Sequence, residues 1–189
     1  RHLRYAQAIC IRLDDRSALC RRDMLNEAKV VRLDRIAIDD EAARVGRELG
    51  SQIVFDPGAS NLIRSFPSVF RKAIGGCDIL CANLSEIKAL ARGRDSLQYA
   101  RLLSSRGKLV IIKRGRKGCI TAEGGQTAVV SGVRVRTVDT TGAGDAFLAA
   151  FLYSLSRNHG LKVSAAFANW FAAKKTEGLG PRHFPPRQE

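Results

Sequence analysis

The chain has 189 residues and a formal net charge of +14, from 32 Lys and Arg against 18 Asp and Glu. Its hydrophobic fraction of 45% is ordinary for a globular protein, and its length fits one domain with a substantial core or part of something larger. No apolar run approaches the ~18–20 residues of a membrane-spanning helix, and the low aromatic content of 6%, not interleaved with the basic residues, argues against a stacking platform for single-stranded nucleic acid.

The start, Arg1-His2-Leu3-Arg4, shows neither a signal-peptide pattern nor an initiator Met, so the natural N-terminus is expected upstream. Residues 1–28 mix Asp14-Asp15, arginines and isolated apolar residues, and read as the remnant of an upstream part of the domain. From Lys29 the sequence alternates short apolar runs with amphipathic stretches. Lys29–Leu33 is predicted as a strand and Asp39–Leu49 as a helix stopped by Gly50. Ile53–Asp56 is a strand ending at Pro57-Gly58, followed by a helix over Asn61–Ile74 that Pro67 interrupts. Asp78–Ala82 is a strand, Asn83–Arg92 and Ser96–Ser105 are helices, and Lys108–Lys113 is a strongly apolar strand. Gly118–Ala122, Thr127–Ser131 and Val133–Val138 read as an antiparallel meander with Gly-rich turns. Two helices, Ala143–Ser156 and Val163–Thr176, close the chain with apolar residues at helical spacing.

Repeated strand–helix units imply an α/β domain with a mainly parallel sheet covered on both faces. Ligands of such sheets bind beyond the carboxyl ends of the strands, here the loops after Ala82, Lys113 and Val138. The basic groups are scattered over Arg21-Arg22, Arg114–Lys117, Lys174-Lys175, Arg182 and Arg187, and solvated surface is their simplest use. The five cysteines (Cys10, Cys20, Cys77, Cys81, Cys119) form no CxxC and have no nearby histidine to complete a zinc site. They read as buried free thiols of a reducing cytoplasm.

The most informative segment is Asp139-Thr140-Thr141-Gly142-Ala143-Gly144-Asp145. It reads as a turn opening a helix, where glycines and first-turn N–H groups present a site for phosphate. Asp145 beside such a site is a poor anion ligand. It makes sense as a base that takes a proton from a nucleophile attacking that phosphate; the plainer alternative is a first-turn acid favoured by the helix dipole. Asp139 has a simple role in bonding the turn's backbone. Asn83-Leu84-Ser85-Glu86 is either a capping box or a pair of oxygen ligands near a magnesium–phosphate. Lys113-Arg114-Gly115-Arg116-Lys117-Gly118 is either a hairpin turn with exposed basic residues or a phosphate-facing loop. The segment is neither a Walker loop nor a dinucleotide fingerprint.

Taken in order, Asp56-Pro57, Asn83-x-x-Glu86, Gly115-x-x-Gly118, Asp139–Asp145, Asn169 and Gly178–Pro181 resemble the ribokinase (PfkB) family of carbohydrate and nucleoside kinases over roughly residues 25–186. The resemblance implies a three-layer α/β/α ribokinase-like sandwich, with residues 29–189 as its nucleotide-binding and catalytic part. The family's N-terminal glycine-rich sugar-binding signature and β lid have no counterpart in this sequence. By position, the resemblance implies Asp145 as catalytic base and the Gly142, Ala143 and Gly144 amides as anion hole. Arg114, Gly115, Gly118, Thr141 and Asn169 would lie around the nucleotide. Asn83 and Glu86 would help to hold Mg2+, directly or through water, and Asp139 a monovalent cation such as K+. Two departures stand out: Lys113-Arg114 replaces the family's usual Thr-Leu, and Gly58 replaces its usual asparagine.

The implied activity is ATP- and Mg2+-dependent phosphorylation of a hydroxyl on a sugar, sugar phosphate or nucleoside. It would act in the cytoplasm, without membrane or nucleic-acid partners, with a homodimer expected for the full-length protein. A truncated, non-catalytic nucleotide-binding fragment is the alternative, and a basic nucleic-acid-binding protein a weaker one.

Overall fold

The computed structural model describes residues 7–11, 30–31, 40–58 and 60–185. The strand expected at Lys29–Leu33 is described only at Val30 and Val31, and the expectations for residues 12–28 lie outside the described residues, as does Cys20. The chain divides into two compact units, Arg1–Ile112 with Ala122–Gln126, and Lys113–Thr121 with Thr127–Glu189.

The first unit contains β1 (Gln7–Ile11), β2 (Val30–Val31), α1 (Asp40–Glu48), β3 (Gln52–Asp56), α2 (Ser60–Ser65), α3 (Pro67–Gly76), β4 (Ile79–Asn83), α4 (Leu84–Ala91), α5 (Ser96–Ser104) and β5 (Leu109–Lys113), whose last residue falls in the second unit. Its strands lie side by side in the order β2-β1-β3-β4-β5. β1 is antiparallel to both neighbours, pairing Gln7 with Asp56 and Ile11 with Gln52. β3 and β4 are parallel, with Val54 opposite Ile79 and Phe55 opposite Leu80. The sheet is therefore mixed, and the expected α/β class holds.

Burial explains the pattern. Ile53–Phe55, Ile79–Ala82 and Val110–Ile112 are continuous buried runs, the mark of strands covered on both faces. The interrupted helix resolves into α2 and α3, with Pro67 in the first position of α3, where its missing N–H costs nothing. Asp95 caps α5, accepting from the Leu97 and Gln98 N–H groups at 3.0 Å each.

β6 (Cys119–Glu123) and β7 (Gln126–Val130) are joined by Gly124 and Gly125, with φ of +56° and +80°. Two consecutive positive φ values are what a two-residue type I′ hairpin demands. The third meander strand expected at Val133–Val138 does not form. The Val138 and Asp139 N–H groups instead donate to the Thr176 carbonyl at 2.7 and 3.1 Å. Val133 and Val135 are half-buried and Arg134 and Arg136 exposed, an alternation that any extended segment on a surface produces.

The second unit ends in α6 (Ala143–Ser156) and α7 (Leu161–Lys175). α6 buries Ala146, Phe147, Leu148, Ala150, Phe151 and Leu152, and the Phe147 and Phe151 rings stack at 6.1 Å. Among the described residues no helix is long and apolar enough to cross a membrane.

Candidate active site

The second unit builds the segment Asp139–Asp145 into a tight turn. Asp139 Oδ1 accepts from the Thr141 N–H at 2.9 Å and the Thr141 hydroxyl at 2.7 Å. Its Oδ2 accepts from the Gly180 N–H at 2.8 Å. The two bonds from Thr141 and the one from Gly180, with a smaller contribution from the Lys175 charge, pull the Asp139 carboxyl from 3.8 down to about 2. The carboxylate thus ties the turn before α6 to the loop after α7.

Gly142 is the N-cap of α6 in the left-handed region, φ +75°, and makes no side-chain cap bond. A Cβ there would meet Pro181 at 3.5 Å, so conformation, not space, calls for glycine. The Ala143 N–H donates to the Thr140 carbonyl at 3.1 Å, so one of the three amides expected in the anion hole is already engaged. Gly144 and Asp145, both exposed, occupy the first turn of a 14-residue helix, where N–H groups lack partners within the helix and the dipole is positive.

Two lysines flank the turn. Lys113 Nζ lies 3.5 Å from the point that a Cβ on Gly144 would occupy. Lys175 is fully buried at 0% exposure, its Cε 3.8 Å from the corresponding point on Gly142. Its ammonium has no hydrogen-bond partner among the described residues.

The Arg114–Gly118 loop closes on itself through Arg114 N–H to Gly118 O at 2.8 Å and Gly118 N–H to Gly115 O at 2.9 Å. Its two glycines differ in kind. Gly118 (φ +84°) and Gly132 lie backbone against backbone, and a Cβ on either would clash. Gly115 (φ +58°) faces open space, leaving its backbone approachable. Arg114 is half-buried, Arg116 and Lys117 exposed. The sequence reading missed Gly132, whose need for glycine arises only from the crossing with Gly118.

Asn169, on α7, is 7% exposed. Its amide donates to the Ser131 and Val130 carbonyls at 3.1 and 3.3 Å and to Cys119 Sγ at 3.6 Å. It secures the end of β7 to α7, so its donors are spent on scaffolding. Burial raises the Cys119 thiol to about 11, against smaller opposing effects of the Asn169 bond and the Arg114 charge. Cys77, also buried, rises to about 11 mainly for the same reason. Cys77, Cys81 and Cys119 are buried free thiols, as expected, and the two raised groups are poor nucleophiles.

In the first unit, Asn83 and Glu86 form a complete capping box. Asn83 Oδ1 accepts from the Glu86 N–H at 2.9 Å and the Ser85 hydroxyl at 2.7 Å, while Glu86 Oε2 accepts from the Asn83 N–H at 2.8 Å. Glu86 is only 2% exposed. Among the described residues no group of three or more His, Cys, Asp and Glu is gathered for a metal ion. An Asn–Glu pair already engaged in a cap suits a hydrated Mg2+, which keeps most of its waters and borrows ligands from substrate phosphates.

Comparison with known proteins bears on this arrangement. The model of the pfkB family carbohydrate kinases matches residues 9–187. An uncharacterized sugar kinase of Archaeoglobus fulgidus is 32% identical over 144 residues, 76% of this chain and 57% of that protein. Adenosine kinase from Sinorhizobium meliloti superposes with a TM-score of 0.70 at 29% identity, covering 75% of this chain and 44% of that one. Fructokinase from Vibrio cholerae O395, solved with fructose, ADP and calcium, gives 0.65 at 28%, covering 74% and 49%. A double mutant of that fructokinase has been solved with fructose, ADP and potassium. The chain spans about half the length of the curated relatives it matches. The ribokinase-like α/β fold and the ordered motifs agree with a match across nearly all of its residues: the chain belongs to the pfkB family of carbohydrate kinases.

Proposed function

We propose that this chain carries the donor-side and base chemistry of an ATP-dependent kinase that phosphorylates a hydroxyl of a sugar, sugar phosphate or nucleoside. The supporting observation is the Gly142–Asp145 turn: an exposed carboxylate in the first turn of α6, on a cap without a side-chain bond, with the Lys113 ammonium and the Lys175 side chain beside the two glycines. An exposed acid next to a site that attracts anions suits proton removal more than phosphate binding.

In this reading Asp145 accepts the proton of the acceptor hydroxyl as its oxygen attacks the terminal phosphoryl group in line. The amides of Gly142 and Gly144, with Ala143 where its bond to Thr140 yields, face the charge on that group. Asp139 and Thr141 hold the turn in shape. Gly115 allows the backbone to approach the nucleotide phosphates, with Arg114 adding charge, and Gly118 keeps the loop closed against Gly132. Asn169 fixes the segment after β7 alongside the nucleotide. Asn83 and Glu86 would hold hydrated Mg2+, which when bound neutralises phosphate charge. A monovalent cation at Asp139 would compete with three hydrogen bonds and with the Lys175 charge, so we propose that this chain does not depend on one.

The relatives act on, or were solved with, acceptors as different as fructose and adenosine by name, so the acceptor class stays at the hydroxyl of a small molecule. The test is Asp145→Asn. Phosphoryl transfer to a panel of sugars and nucleosides should fall ~10³-fold while nucleotide binding and melting temperature persist. Turnover unchanged in the folded variant would remove Asp145 as base. Nucleotide binding without turnover in the parent would favour a non-catalytic nucleotide-binding role.

A further inference from the structure

A lysine buried to 0% exposure without a hydrogen-bond partner among the described residues is costly, because an ammonium removed from water loses several kcal/mol of hydration that only a partner restores. Lys175 stands in that position. Its neighbour Lys174 is half-buried and pairs with Glu177 at 3.0 Å, so the two adjacent lysines have different fates. The end of the Lys175 side chain reaches the underside of the turn, its Cε 3.8 Å from where a Gly142 Cβ would stand. The nearby Asp139 carboxylate feels its charge but gives both oxygens to Thr141 and Gly180.

Resting on the kinase reading above, we infer that Lys175 is a buried backing charge for the phosphate site at the start of α6, acting through the glycine turn without touching the ligand. Three features meet at the start of this 14-residue helix: its amide end, the Lys113 ammonium 3.5 Å from the Cβ point of Gly144, and the Lys175 side chain, its Cε 3.8 Å from the Cβ point of Gly142. A charge in a poorly solvated interior is little screened and acts strongly over short distances. Glycine at position 142 keeps the layer between charge and ligand one backbone thick. The ligand chemistry is a polyphosphate, and the attraction scales with its negative charge. Asp145 opposes it at the exposed rim, which leaves Lys175 the task of offsetting a carboxylate that the reaction requires.

The experiment compares the parent with Lys175→Met, which keeps length and apolar volume. Calorimetry would use ADP and ATP with Mg2+, adenosine, and inorganic tripolyphosphate. Affinity for ATP and tripolyphosphate should drop ~10-fold or more, for ADP by less, and for adenosine not at all. Without ligand the variant should melt at the same or a higher temperature, since an unpaired buried charge has been removed. Equal ATP affinity in parent and variant, an equal loss for adenosine, or a lower melting temperature without ligand would each overturn the assignment. If the parent transfers phosphate and the variant binds ATP normally, the kinase reading stands and Lys175 falls. If the parent binds tripolyphosphate through Lys175 but never turns over, the reverse holds. If the parent binds no polyphosphate, both fall.

Discussion

Two helices in this chain begin with an acid three residues after the cap, and they use it in opposite ways. In α4 the cap is Asn83 and the acid Glu86. The two side chains bond each other's backbone and the acid is buried. In α6 the cap is Gly142 and the acid Asp145. The cap has no side chain to offer, no cap bond forms and the acid is exposed. A start closed by its own side chains is a structural joint, whereas an open one, capped by glycine, leaves its acid at the surface, at the positive end of the helix. The acid is common to both, and it is the cap residue that separates them.

The largest expected effect follows from the open start. Asp145→Asn should remove ~10³-fold of turnover with little loss of stability, whereas Glu86→Ala should lower stability first and turnover only through weaker holding of Mg2+. Losing the buried acid leaves the Asn83 N–H without its acceptor, which costs about 1–3 kcal/mol, read as a lower midpoint in urea. A stability loss at Asp145 equal to that at Glu86 would break the contrast. Gly142→Ala comes next. With φ at +75° and room for the methyl group, the cost is that of a left-handed residue, about 1–2 kcal/mol. Asn83→Ala should cost about 1 kcal/mol, the usual value of an N-cap.

Much of this was readable in advance for physical reasons. The bounds of α6 coincide with the sequence reading because a glycine cap and a regular apolar period coincide there. The capping-box alternative for Asn83 and Glu86 also proved to be the geometry. What escaped depends on tertiary context. Val133–Val138 alternates valine and arginine as a strand would, yet its last N–H, and that of Asp139 after it, turn to Thr176. Lys174-Lys175 looks like a surface pair, but a helix turns about 100° between neighbours, which carries one lysine into the interior. The need for glycine at 132 exists only where its backbone meets Gly118.

The smallest effect probes what holds the open start in shape. Asp139 has its carboxyl lowered from 3.8 to about 2 by Thr141 and Gly180. A group whose folded value is depressed contributes stability above its unfolded value and loses it as pH falls through the folded one. The stability gap between the parent and Asp139→Asn should therefore be constant above pH ~4 and close between ~4 and ~2. Thermal melts at matched ionic strength would show it. Glu86→Gln provides the control at the closed start, because a glutamine can still accept the cap bond. A gap for Asp139→Asn that stayed constant down to pH ~2 would mean that the carboxylate does not fasten the turn. The geometry of the open start would then rest on the left-handed backbone of Gly142 and on the backbone bonds of Asp139 to Thr176 and of Ala143 to Thr140.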